Sequence, residues 1–316
     1  MGAKRGRRAP TGESLKSCYL NSRVDVGWLE SVGETVPSYL QQLKVGDAPG
    51  RYLPCLSGAT TVGKEMALGY SCFALRTLYS LGVWDLVDQK ERADWIEFIR
   101  AFQQRGADGA FVDPPEIEYL ERHPPLREQI LTWVRRRPQS TSAHSIVLAE
   151  TKQAIATLAD VGAEPARHFH GFPVTPNALR EWLDAQNWNK PWGAGGQAAG
   201  IVVFIRTQAP AFLDAREVEE LLRVCRDFYT GLAHRETGGY FRGPMPKHGE
   251  LINGAMKVLM ALDWLNAEPH YAEELVATTL SQPPSSTGCH LVDSIYVLHQ
   301  CTRGRVSRKV QAFCEN

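Results

Sequence analysis

The feature that most limits what this chain can fold into is a recurring unit: a helical run, a glycine-bearing turn, an aromatic residue, and then a second helical run rich in small residues. Its clearest copy is residues 95–114, WIEFIRAFQQRGADGAFVDP, where the helix ends at Gln103 and an Asp-Gly turn leads to Phe111. Looser copies lie at 182–196 and 228–243. Such a unit cannot bury its apolar face alone, so its repetition predicts stacked helical hairpins. No strand-type alternation of useful length occurs, and the expected fold class is all-α.

The helical runs alternate in character. Residues 61–81 read as one buried helix, with Met66, Tyr70 and Phe73 near helical spacing, and residues 88–104 read as a charged amphipathic helix with Trp95, Phe98, Ile99 and Phe102 on one face. Further small-residue helices begin near positions 142, 194, 249 and 288, with charged partners at 176–187, 214–232 and 271–281. Helices apolar on nearly all faces are those an outer ring would enclose, so about five to six hairpin pairs closing into a ring are expected. Residues 113–138 are Pro-rich and read as an inserted loop with a short helix. Residues 1–12 read as a disordered basic tail and 13–316 as a single domain.

The segment 98–111, FIRAFQQRGADGAF, resembles the repeat of the protein prenyltransferase and squalene/terpene cyclase superfamily, in which a helix ends in Gln and is followed by an Asp-Gly turn and an aromatic. The resemblance covers one hairpin well and about four loosely. It implies an α/α toroid with a central cavity, whose mouth is lined by the N-terminal ends of the inner helices.

Several partner classes are excluded by composition. Lys+Arg and Asp+Glu are equal at 35 each, so no global field recruits nucleic acid. No apolar run approaches the ~20 residues of a membrane helix, and no apolar segment of a secretory signal follows the basic start. A soluble, cytoplasmic protein is expected. The seven cysteines, an odd number without a CxxC pair, argue against a disulfide framework and read as small buried side chains.

Four clusters are candidates for chemistry. At residues 192–197, Trp192 and Gln197 flank glycines whose amides at a helix start suit an anion or polar ligand, although glycine there also serves a tight turn and close packing. Glu250, Asn253 and Lys257 fall at i, i+3 and i+7, one stripe of an otherwise apolar helix, as a lumen lining or as a buried Glu–Lys pair. Glu150 lies mid-helix, six residues from His144 and so off its face. Cys289, His290 and Asp293 are all zinc-ligand types, but the prenyltransferase ligands come from separate helices with an Asp-x-Cys spacing that this chain lacks. No zinc is expected; Cys289 reads as packed and His290 as a surface residue.

Neither DxDD nor DDxxD occurs, so no magnesium or other cofactor is expected. The reading that follows is an enzyme of the terpene cyclase/prenyltransferase-like toroid class, of cyclase, lyase or isomerase type, acting on an isoprenoid. Asp293 or Glu250 is its acid–base group, and Trp192, Gln197, Asn253, Lys257, Glu150 and Tyr240 contact substrate. Tyr70, Phe73, Trp192, Phe204, Tyr240, Phe241 and Tyr296 wall the chamber in this reading. One alternative is a carbohydrate-active toroid lyase or glycosidase with paired carboxylates, Glu250 with Asp113 or Asp293. Another is a noncatalytic helical-repeat module that binds a peptide or partner.

Overall fold

A computed structural model describes residues 27–106, 108–123, 141–285 and 289–303, with 310, 311 and 313. The described residues form helices and turns, with no strand among them. The chain divides after His168 into two compact units. The first holds α1 (Gly27–Leu43), α2 (Thr61–Glu65), α3 (Leu68–Ser80), α4 (Gln89–Arg100), α5 (Pro114–Arg122) and α6 (Thr141–Asp160). The second holds α7 (Pro176–Asp184), α8 (Pro191–Thr207), α9 (Ala215–Leu232), α10 (His248–Leu265), α11 (Ala272–Leu280) and α12 (His290–Thr302). The tail 1–12 lies outside the described residues. Of the proline-rich segment, α5 is the short helix, and 124–138 also lie outside.

The recurring turn has a defined geometry. Three isolated antiparallel bridges, Lys44 with Tyr52, Gln103 with Phe111 and Ala233 with Tyr240, join the end of a helix to a buried aromatic. In each, a glycine at positive φ stands two residues before the aromatic: Gly50 (76°), Gly109 (71°) and Gly238 (66°). The first two share a hydrogen-bond frame, Val45 N to Arg51 O (3.0 Å) with Leu53 N to Leu43 O (2.8 Å), and Gln104 N to Ala110 O (2.8 Å) with Val112 N to Phe102 O (3.1 Å). The signature is therefore Gly-x-Tyr/Phe. It adds a copy at 43–53 that the sequence reading overlooked, and the segment 182–196 does not form it: there Trp188 is buried and its indole donates to Leu183 O at 2.8 Å.

Gln103 shows why a glutamine ends the best copy. Its amide nitrogen donates to Gly109 O (2.8 Å) and Arg167 O (2.6 Å), while its oxygen accepts from Arg167 N (2.9 Å). One buried side chain thus supplies the donors and acceptor of a short ladder, which neither Glu nor Lys can do.

A Cβ on Gly238 would lie 2.5 Å from both Leu275 Cβ and Tyr271 O, at a φ that L-residues avoid. Gly238→Ala is therefore expected to lower stability by on the order of 3 kcal/mol in urea unfolding. Gly231→Ala is the control: it sits in α9 with open space around it and is expected to be neutral or slightly stabilising. Equal behaviour of the two variants would remove the turn's steric argument.

In each unit the small-residue helices pack on one another. α3 packs on α6 in the first; in the second, α10 packs on α8 and on α12. α8 is buried along most of its length, whereas α9 is amphipathic and begins with a capping box in which Asp214 and Glu217 satisfy each other's backbone amides. The α8–α10 approach depends on two glycines. A Cβ on Gly254 would stand 2.5 Å from Pro191 Cβ, and one on Gly195 would stand 3.0 Å from Lys257 Cβ. One expectation is corrected: residues 61–81 are not a single helix. The run breaks at Met66 and restarts at Leu68, because the Asp113 carboxylate, distant in sequence, accepts the amides of Ala67 (2.6 Å) and Leu68 (2.8 Å).

Candidate functional site

In the first unit the turn after α4 delivers a carboxylate cluster to the start of α3. The Thr151 hydroxyl of α6 accepts from Phe111 N at 2.9 Å and fixes the strand-like exit of that turn. Two residues on, Asp113 is 1% exposed and both accepting amides of α3 and donating its own amide to Glu150 Oε2 at 3.0 Å. Glu116, in the first turn of α5, lies near the Glu150 side chain. Burial pushes the Glu150 carboxyl up to about 8; the Asp113 amide opposes this, and the charges of Glu116 and Asp113 add to it. Burial, then Glu116, Cys55 and Asp113, raise the Tyr70 hydroxyl in turn, and Phe73, one turn along α3, is 61% exposed.

In the second unit the first turns of α8, α10 and α12 bring another set together. Glu250 Oε1 accepts from Trp192 N at 3.0 Å, tying α10 to the start of α8. The Asn253 orientation that satisfies both ends of its amide donates to Gly249 O (3.0 Å) and Asp293 Oδ2 (3.3 Å), tying α10 to α12. Asp293 is 2% exposed; burial raises its carboxyl and Lys257 draws it back. The stripe Glu250, Asn253, Lys257 predicted from spacing thus serves two neighbours, with Glu250 turned to α8 and Asn253 to α12. Lys257 is half-buried, and its stem lies against Gly195. The Trp192 indole is 44% exposed and Gln197 half-buried on α8.

The remaining predicted positions fall elsewhere. Tyr240 is fully buried, and its hydroxyl accepts from His270 N at 3.0 Å, so it closes its turn and has no free surface for a ligand. Phe204 packs with Phe169 and Phe172 in the core, and Phe241 stacks on His234. Cys289 and His290 are reversed from expectation: the thiol is exposed and the imidazole buried, because Gly249 has no Cβ to hold the ring off α10. Among the described residues no group of three or more His, Cys, Asp or Glu is placed to hold a metal ion.

Two features escaped the sequence reading. The Asp113, Glu116 and Glu150 cluster joins residues across 37 positions, and its only local trace is Asp113-Pro114-Pro115, a cap followed by prolines at a helix start. His248 and His290 meet only once α10 and α12 pack. Comparison with protein-family models, with curated proteins and with solved structures returns no match for this chain.

Proposed function

We propose that the chain is an acid–base enzyme, built as a closed α/α toroid of the terpene cyclase and prenyltransferase type and acting in the cytoplasm, that protonates an isoprenoid substrate with Glu150 as the donor. The observation that carries this reading is the grouping of Glu150 and Glu116 beside the buried Asp113, where burial first and the neighbouring carboxylates after it raise the Glu150 carboxyl to about 8. Protonation of an olefin needs a carboxyl that still holds its proton when substrate arrives, and this chain lacks the DxDD string that supplies one in the cyclases. Tyr70 and the exposed ring of Phe73 add apolar surface on the helix packed against α6. This moves the acid–base role from Asp293 and Glu250 to Glu150. Membrane anchoring is no part of the proposal: no described helix is long and apolar enough to cross a membrane.

The pH dependence of turnover tests the assignment. With a linear isoprenoid olefin such as squalene as substrate, cyclised product is expected at a constant rate up to about pH 8, then falling tenfold per pH unit as Glu150 ionises. A rate that climbs through pH 8, or no product from any linear isoprenoid, defeats the proposal.

A second reading, a carbohydrate-active lyase or glycosidase, is favoured by one observation in the other unit. Trp192 is 44% exposed and its backbone amide is held by Glu250, so its ring offers a stacking platform at the start of a helix whose neighbour carries a carboxylate. Release of unsaturated uronate from acidic polysaccharide, lost on Trp192→Ala, would select it over the first.

A further inference from the structure

Two histidines of the second unit have complementary unmet hydrogen-bonding needs. His248 opens α10 and His290 opens α12, and their ring centroids are 5.3 Å apart with planes inclined at 59°. His290 is 7% exposed, and its Nδ1 accepts the Ser285 amide at 3.0 Å with the Ser285 hydroxyl at 3.3 Å. A backbone N–H aimed at Nδ1 needs a lone pair there, so the neutral ring carries its proton on Nε2. Burial, with His248 nearby, holds His290 below the usual histidine range and so favours the neutral ring.

His248 has the opposite need. Its Nε2 lies 2.9 Å from the Thr278 carbonyl oxygen, which can only accept, so Nε2 carries the proton and Nδ1 the lone pair. His290 Nε2 and His248 Nδ1 are both buried, and neither has a partner. Adjacent rings thus hold one donor without an acceptor and one acceptor without a donor. Buried groups left in this state are costly, and native structures seldom keep them empty.

A hydroxyl is the simplest group that accepts one hydrogen bond while donating another. We propose that His248 and His290 form a binding site for a single hydroxyl oxygen, of water or of an alcohol ligand, which accepts from His290 Nε2–H and donates its proton to His248 Nδ1. A metal ion does not fit, since ligation through His290 Nε2 would place a proton on Nδ1 against the Ser285 amide. A carboxylate fits no better, because it would leave the His248 lone pair facing an acceptor. The ring of His290 is seated against Gly249, where a Cβ would come within 3.4 Å of Nδ1, and Asn253 ties the same turn of α10 to Asp293 one turn further along α12. The site is independent of Glu150 and stands whether or not the isoprenoid reading does.

The test combines a high-resolution crystal structure of the full chain, without and with glycerol, with long-range proton–nitrogen NMR of the histidine rings during a glycerol titration. Both rings are expected as Nε2–H tautomers, with one oxygen within about 3.2 Å of His290 Nε2 and His248 Nδ1. If the occupant is structural water, glycerol leaves the ring signals unmoved; if the site takes alcohols, both signals shift saturably and a glycerol oxygen replaces the water. His248→Phe, which keeps a ring and removes the acceptor, is expected to lose the oxygen. A direct bond between the two rings, an Nδ1–H tautomer in either, no oxygen between them, or zinc bound there on addition of zinc chloride would overturn the proposal.

Discussion

Glu150→Gln is expected to lower turnover of the isoprenoid substrate by at least about two orders of magnitude, the usual worth of a positioned general acid, while leaving the fold no less stable. The amide keeps the shape and can still accept the Asp113 N–H that Glu150 holds at 3.0 Å. What it removes is an ionisation that folding disfavours. The carboxyl rises from its ordinary 4.5 to about 8 on folding, so between those values the native state holds a proton that the unfolded chain has released. The stability this contributes is complete below about pH 4.5 and is lost as pH rises through about 8. The thermal midpoint of the glutamine variant should therefore gain on the parent steadily from about pH 5 to about pH 8. Calorimetry at several pH values and product assays measure the two effects. Unchanged turnover removes Glu150 from the chemistry, and a pH-independent stability loss marks it as a structural carboxylate.

The second large effect is expected at Asp113. Asp113→Ala strips the start of α3 of the carboxylate that accepts Ala67 N at 2.6 Å and Leu68 N at 2.8 Å, in a place that water does not reach. Two buried amides left without an acceptor should cost about 3 kcal/mol or more in urea unfolding. Asp113→Asn keeps an acceptor oxygen and should cost less. It also removes a negative charge that helps to hold Glu150 up, so the alkaline limb of the rate profile should move to lower pH in this variant. A wild-type midpoint for Asp113→Ala would mean that α3 starts where it does for another reason. An unmoved limb in Asp113→Asn would separate Asp113 from Glu150.

The placement of these residues shows how far the chain can be read without coordinates. Helix positions followed from periodicity: α8, α9 and α10 fall within a few residues of the runs expected, because burial of an apolar stripe is written in local spacing. The Gly-x-aromatic turn was visible at 109–111 and 238–240, since a positive φ restricts the residue type at one position. The copy at Gly50 and the absence of one at 182–196 are not legible in the same way, because glycine and aromatic content alone do not specify the two-residue offset. The face shared by Glu250, Asn253 and Lys257 was also legible, helix geometry being enough to align them.

The partners on that face were not. That Glu250 turns to Trp192 and Asn253 to Asp293 depends on how closely α8 and α12 approach α10, which Gly195, Gly254 and Gly249 set by what they lack. Burial of His290 and exposure of Cys289 reverse the local expectation for the same reason. The break before Leu68 comes from Asp113, a residue with no place in that helix's own sequence, and the raised carboxyl of Glu150 comes first from its burial. The sequence by itself determined the all-helical class, the hairpin turns and the apolar stripes, because those are decided by forces acting over a few residues. Only the tertiary structure decided which carboxylates meet, which amides they cap and which histidines are left unsatisfied, because electrostatic and hydrogen-bond partners are chosen by distance in space, and desolvation exists only once the helices of each unit have packed.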